Sequence, residues 1–163
     1  MPEIKLFLDS SALFAGIVSS TGAARVLLLL AESGHITVKI SEQVVVETER
    51  AIARKAPHAL ADLRKAILAT KAQILHNPSQ AEVKANLQLI SHPADVPIVL
   101  AAMKARVDYL VTLNRVHFMD DPDVAVKAGL RIGTPGDALN WVRKQKFNRD
   151  EGDKSQKKGA ACP

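Results

Sequence analysis

Three acidic side chains lie where an ionised carboxylate needs a partner. Asp9 directly follows the apolar run of residues 4–8, Glu47 lies on a predicted helix after another apolar run, and Asp95 opens the predicted helix of residues 96–103. A carboxylate near a buried strand is costly unless it caps a helix or binds a cation. If the three carboxylates meet, they form an oxygen-only site that suits Mg²⁺ or Mn²⁺.

Alternating strand-like and helix-like segments would position these residues. Short β-rich runs are predicted at residues 4–8, 36–40 and 109–112, and weaker ones at 73–76 and 130–132. Helical periodicity follows each of them. This alternation is typical of an α/β domain in which helices flank a central parallel sheet.

The strand ends indicate where a site would form. In an open parallel sheet, ligands bind outside the carboxyl ends of the strands. Asp9 lies at one such end, and Thr112 and Asn114 lie at another, followed by Arg115. We therefore expect one shared cleft that contains these side chains and Asp95.

Length and charge define the domain boundaries. A chain of 163 residues fits one compact domain. Its net charge is +5, and the part from Arg143 onward has seven Lys/Arg against three acids, which leaves about +1 for the rest. We predict a folded domain over residues 1–146 and a disordered basic tail over residues 147–163, because the tail has no apolar periodicity.

Cysteine use and hydropathy predict a cytoplasmic protein without membrane association. The only cysteine, Cys162, is the second residue from the end, so a disulfide framework is not expected. The longest apolar run, residues 26–31, is too short to span a bilayer, and the first residues lack a basic signal start.

Each candidate has a structural alternative. Asp9 and Asp95 could serve only as helix N-caps, and Glu47 could lie on a solvated helix face. Thr112 and Asn114 could form an Asx-type turn. A zinc site is not expected, because the histidines have no i, i+4 pairing and no cysteine companions; they are His35, His58, His76, His92 and His117.

Four motifs in this order resemble the PIN-domain family, most closely the PIN-family toxins of prokaryotic toxin–antitoxin pairs. They are Leu8-Asp9-Ser10-Ser11, Ser41 with Glu47, the segment 94–102 and the segment 108–118. The resemblance spans residues 4–145. It implies a metal-dependent endoribonuclease of PIN-like fold, with Asp9, Glu47 and Asp95 as catalytic carboxylates that bind Mg or Mn.

The resemblance also implies roles and partners. Ser10, Thr112, Asn114 and Arg115 would lie beside the carboxylates, where they contact substrate or orient the ligands. Ser10 is expected to be a hydrogen-bond partner rather than a nucleophile, because no histidine is placed to activate it. The partners would be an RNA substrate, a small cognate antitoxin and a second copy of the chain in a homodimer.

One departure from the family pattern leaves other functions open. Many PIN domains have a fourth acid where this chain has Asn114, so the site has three formal charges and a second metal should bind more weakly. A catalytically weak or inactive PIN-like module that binds RNA or a partner is therefore an alternative. A phosphatase of the haloacid-dehalogenase type is less consistent, since it would need an acid where Ser11 lies.

Overall fold

The fold is a five-stranded, all-parallel sheet flanked by helices, as predicted. The computed structural model describes the backbone of residues 2–159 and the side chains of residues 2–155. The sheet order is β3-β2-β1-β4-β5. The strands are β1 (Lys5–Leu8), β2 (Thr37–Ser41), β3 (Gln73–Leu75), β4 (Tyr109–Val111) and β5 (Arg131–Gly133).

Helices connect the strands and cover both faces of the sheet. They are α1 (Ser10–Val18), α2 (Ala23–Glu32), α3 (Glu42–Lys55), α4 (Leu60–Ala69), α5 (Gln80–Ala85), α6 (Val96–Lys104), α7 (Arg115–Phe118), α8 (Asp123–Ala128) and α9 (Pro135–Gly159). Two short 3₁₀ turns, Pro57–Ala59 and Pro93–Asp95, precede α4 and α6. Each predicted strand is present within one residue of its expected bounds.

The sheet order places a topological switch point at β1. From β1 the chain proceeds to β2 and β3 on one side, and then returns to place β4 and β5 on the other. Leu8 of β1 lies opposite Val111 of β4, and the Asp9 amide donates to the Val111 carbonyl at 3.1 Å. The residues that follow β1 and β4 therefore share the crevice where ligands bind in such sheets.

A continuous apolar core holds the strand ends rigid. Leu6, Phe7 and Leu8 of β1 are fully buried, as are Leu110 and Val111 of β4. Parallel strands covered on both faces are apolar throughout rather than alternating, which is what these runs show. The site residues that follow them therefore start from fixed backbone positions.

The structure describes residues 147–159, the first part of the tail that the sequence predicts to be disordered, as the continuation of α9 to Gly159. The first turns of α9 are packed, with Ala138, Leu139 and Val142 buried. This packing provides the nucleus of the helix, and adding further residues to an existing helix costs little. Residues 160–163, including Cys162, lie outside the described part.

Among the described residues, no single helix is long and apolar enough to cross a membrane. The α1 and α2 helices together reach the length and apolar composition of a membrane span, but the two helices are bent by 86° relative to each other. Much of this pair is buried against the core of the domain, including Leu13, Leu27 and Leu28.

Candidate metal centre

Asp9 lies at the centre of the switch-point crevice. It is only 5% exposed, and it is the N-cap of α1, with Oδ1 accepting from the Ala12 amide at 2.9 Å. The Ser11 hydroxyl donates to the same oxygen at 2.7 Å, and the Thr112 hydroxyl donates to Oδ2. Asp9 therefore caps α1 from a buried position. A carboxylate accepts about four hydrogen bonds, so Oδ2 keeps a lone pair for a cation.

The environment of Asp9 disfavours its charge. Burial raises the pKa of Asp9 above the ordinary value of 3.8, and the hydrogen bonds from Thr112, Ser11 and Ala12 offset this only in part. The nearby charge of Asp95 raises the pKa of Asp9 further. Within the described side chains, Asp9 has no Lys, Arg or His ion-pair partner. A buried carboxylate of this kind is stabilised by a bound cation.

Glu47 faces the crevice from α3. Its side chain is half-buried, and its Oε2 accepts from the Ser10 hydroxyl at 2.9 Å. Its Oε1 accepts from the Gln43 amide one turn earlier at 2.8 Å. The same Gln43 amide also donates to the Ala94 carbonyl at 3.1 Å, so it connects Glu47 to the turn that contains Asp95. These contacts disfavour the solvated-face alternative for Glu47.

Asp95 ends the turn Pro93–Asp95 at the start of α6. Although it occupies the N-cap position, its side chain makes no capping hydrogen bond, so the capping alternative does not explain it. Instead, Oδ2 contacts Nδ1 of His117 at 2.7 Å and Nδ1 of His92 at 3.3 Å. Its side chain is 19% exposed, which leaves it accessible from the crevice.

Thr112 and Asn114 orient their neighbours. The Thr112 hydroxyl donates to Asp9 and accepts from the backbone N–H of Asn114 at 2.9 Å. Asn114 is the N-cap of α7, with its Oδ1 accepting from the His117 amide at 3.2 Å. The Thr112 hydroxyl thus closes a short turn with the Asn114 backbone N–H, and Oδ1 of Asn114 is engaged in the cap of α7. Arg115 is exposed. Hydrogen bonds with Thr134 lower the pKa of Asp137, and the positive charge of Arg115 contributes less.

The three predicted carboxylates are not in direct contact with one another. In the described part of the chain, their oxygens do not all lie within 4.8 Å of one another. They are joined instead through Ser10 and Gln43. Mg²⁺ keeps several waters and binds through one or two carboxylates, so direct contact among all three is not required for such an ion. An open groove of about 530 Å³ extends beside Ser10 and Ser11 between α1 and α3.

Three further acids lie downstream of α7: Asp120 and Asp121 precede α8, and Asp123 begins it. Asp121 accepts from the Asp123 amide at 3.0 Å, and α8 starts at Asp123. Asp120 is exposed. The structure does not bring them into a cluster with Asp9 among the described residues, so they do not replace the charge that Asn114 lacks.

Two histidines that were not predicted as site residues lie beside Asp95. His92 and His117 stack with ring centroids 4.1 Å apart and an angle of 16° between the rings. One ligand atom from each ring and one from Asp95 lie within 4.8 Å of one another. The sequence does contain one local sign of this cluster, the i, i+3 spacing of His92 and Asp95, which differs from the i, i+4 spacing of paired metal-binding histidines. His117 could not be found from spacing, since it is distant in sequence.

Comparisons with known proteins agree with this fold. A family profile described as "PIN domain" matches residues 5–116. The chain is similar in structure to PAE2754 from Pyrobaculum aerophilum, with a TM-score of 0.60 and 17% identity over 86% of this chain and 96% of that one. It is also similar to VapBC2 from Rickettsia felis, solved bound to a DNA fragment from its promoter, with a TM-score of 0.56 and 20% identity over 80% and 98% of the two chains. No curated protein sequence matches the chain.

Proposed function

This chain belongs to the PIN-domain family, and we propose that it is a metal-dependent endoribonuclease, the toxin of a toxin–antitoxin pair. Members of this family are generally nucleases. The observation that carries the proposal is Asp9, a buried carboxylate at the switch point that has no cationic partner among the described side chains. Asp95 and Glu47 supply further oxygens around the same crevice.

The residues of the site have separate tasks in this proposal. Asp9, Glu47 and Asp95 hold Mg²⁺ or Mn²⁺. A bound ion of this kind supplies an activated water and neutralises charge on a scissile phosphate. Thr112 and Ser11 fix the Asp9 carboxylate in one orientation, and Ser10 and Gln43 fix Glu47. Arg115 is exposed beside the crevice and is suited to contact a phosphate of the RNA.

Neutralising the buried carboxylates tests the proposal. We expect Asp9→Asn and Asp95→Asn to abolish RNA cleavage and to remove the thermal stabilisation by Mn²⁺, because each loses a charged ligand. Asp62→Asn is the matched control, since Asp62 lies on α4 beside a different groove. Cleavage is measured on RNA and on DNA of the same sequence, with and without a chelator.

The outcomes separate the alternatives. Full cleavage by both purified site variants in Mn²⁺ would refute the metal assignment. Stabilisation of the parent protein by Mn²⁺ without cleavage of RNA would support the alternative, a catalytically weak PIN-like module. Asn114 is the feature consistent with an inactive module, because this neutral residue caps α7 and adds no negative charge to the crevice.

The partners in this proposal are a cognate antitoxin and a second copy of the chain, in the cytoplasm. The similarity to VapBC2 supports an antitoxin. Val18, Leu29 and Leu68 are apolar side chains exposed on α1, α2 and α4, and each is a candidate for contact with a partner. Co-expression with the product of the neighbouring reading frame tests the antitoxin, and sedimentation of the purified protein tests the homodimer.

A further inference from the structure

A cluster of two imidazoles and one carboxylate lies at the edge of the candidate metal centre. His92 and Asp95 are held three residues apart by the 3₁₀ turn Pro93–Asp95, and His117 reaches them from α7. Both Nδ1 atoms approach the same oxygen, Oδ2 of Asp95, at 3.3 and 2.7 Å. One ligand atom from each of the three side chains lies within 4.8 Å of the other two, and within residues 2–155 no other such group of three is found.

The donor set differs from that of the three carboxylates. Two nitrogen ligands and one oxygen ligand suit zinc and its neighbours among the transition metals, whereas Mg²⁺ prefers oxygen ligands alone. Three protein ligands leave a tetrahedral ion one open position. Ligand atoms around a tetrahedral zinc lie about 3.3 Å apart, given bonds of about 2.0–2.1 Å. The separation of His92 Nδ1 and Asp95 Oδ2 already matches this value. The His117 ring must also turn out of its stack with His92, because an ion bound by two imidazole nitrogens lies in the plane of both rings.

The neighbouring contacts hold the cluster in place. The Asn114 side chain caps α7 through the His117 amide, and its Nδ2 lies 2.9 Å from His117 Nδ1. Nδ1 cannot accept a hydrogen bond from Asn114 and donate one to Asp95 at the same time, since a ring nitrogen has either a proton or a lone pair. A dication bound to the Nδ1 lone pair would replace both of these contacts. The His92 side chain is 49% exposed and that of His117 is 32% exposed, so an ion can enter from solvent.

We propose that His92, Asp95 and His117 form a binding site for zinc or a similar transition-metal dication, distinct from the site that takes Mg²⁺ or Mn²⁺. Asp95 belongs to both sites. The consequence for activity rests on the proposed function: zinc bound at this site withdraws Asp95 from the other carboxylates and inhibits RNA cleavage. The zinc site itself does not depend on the chain being a ribonuclease.

Zinc binding to the untagged, full-length protein tests the site. We expect calorimetry to show one equivalent of zinc per chain, with affinity reduced about tenfold or more in His92→Gln and in His117→Gln. His58→Gln is the matched control, because His58 is exposed on the other 3₁₀ turn and should leave the affinity unchanged. Cobalt added to the parent protein should give the visible absorption bands of a tetrahedral site. This measurement uses the parent protein alone, so it does not depend on the folding of a variant.

Two results would overturn the inference. One is zinc affinity that is equal in the parent and in both cluster variants, and the other is an equal loss in His58→Gln, which would indicate scattered surface binding. Asp9→Asn separates this inference from the proposed function, since it should weaken Mn²⁺ binding and leave zinc binding intact. Unchanged Mn²⁺ binding in Asp9→Asn refutes the function without affecting the zinc site.

Discussion

The hydroxyl of Thr112, immediately after β4, donates a hydrogen bond to Oδ2 of Asp9, immediately after β1. Both residues are buried, and they are separated by 103 positions in the chain. The contact exists because β1 and β4 are neighbours in the sheet with Leu8 opposite Val111. It joins the two sides of the switch point at the atom that we expect to bind the metal.

Replacing Thr112 by Val should therefore affect both stability and metal binding. The variant removes the donor to Asp9 and the acceptor of the Asn114 amide, at a cost of about 1–3 kcal/mol in the free energy of unfolding. We expect Mn²⁺ affinity to fall about tenfold, because Asp9 loses its fixed orientation. Urea unfolding and calorimetry measure the two effects.

The matched control for this prediction is Thr48→Val. Thr48 is equally buried, but its hydroxyl donates to the Val44 carbonyl within α3 and has no contact with the site. It should lose some stability and keep full Mn²⁺ affinity. The same loss of Mn²⁺ affinity in both variants would argue against an orienting role for Thr112.

Asp9→Asn should stabilise the metal-free protein at neutral pH. Burial raises the pKa of Asp9, so the folded state binds its proton more tightly than the unfolded state does. The contribution of Asp9 to stability is thus greatest below the ordinary value of 3.8 and declines as pH rises towards the folded pKa. Asn keeps the N-cap and removes this decline.

Unfolding in urea with a chelator, repeated across a pH series, measures this effect. The stability difference between variant and parent should grow as pH rises from the ordinary pKa and level off above the folded pKa. Adding Mn²⁺ at neutral pH should make the parent more stable than the variant, because only the parent has the charged ligand at position 9. A variant less stable than the parent at every pH would contradict the role assigned to burial.

The strand ends could be predicted from the sequence because each combines a strong local signal with a general rule. The apolar run before Asp9 predicts a buried strand, and parallel strands place their carboxyl ends together. The cluster of His92 and His117 could not be predicted, since the two rings meet only after the turn Pro93–Asp95 and α7 fold against each other. The length of α9 was missed for another reason: its last turns continue a packed helix and have no apolar pattern of their own.

Asn114→Asp should preserve or raise Mn²⁺ affinity. Aspartate caps a helix as well as asparagine does, so α7 should remain intact. The substitution adds a negative charge beside Asp95 and His117, which attracts a cation to the crevice. Calorimetry with Mn²⁺ measures the change, and Asn148→Asp, on exposed α9, controls for charge alone. A loss of Mn²⁺ affinity would mean that the Asn114 side chain does not face the ion.

Deleting residues 147–163 should leave the domain folded and weaken RNA binding. The buried residues of α9 described in the structure, Pro135, Ala138, Leu139 and Val142, all precede the deletion, so the core is kept. The removed segment contains four cationic residues: Arg149, Lys154, Lys157 and Lys158. Each lost contact with a phosphate should reduce the slope of log affinity against log salt by about 0.7 for single-stranded RNA.

Binding to RNA across a salt series compares the parent, the truncated protein and a full-length Arg149→Gln, Lys154→Gln variant. The Gln variant keeps the length of the chain and removes charge, so it separates electrostatic contacts from any effect of the helix itself. We expect its slope to lie between those of the other two, because counterion release depends on the number of neutralised phosphates. Superimposable lines for all three proteins would mean that α9 beyond residue 146 does not contact RNA. The domain, with a net charge of about +1 over its first 142 residues, would then have to bind RNA through its metal and local groups such as Arg115.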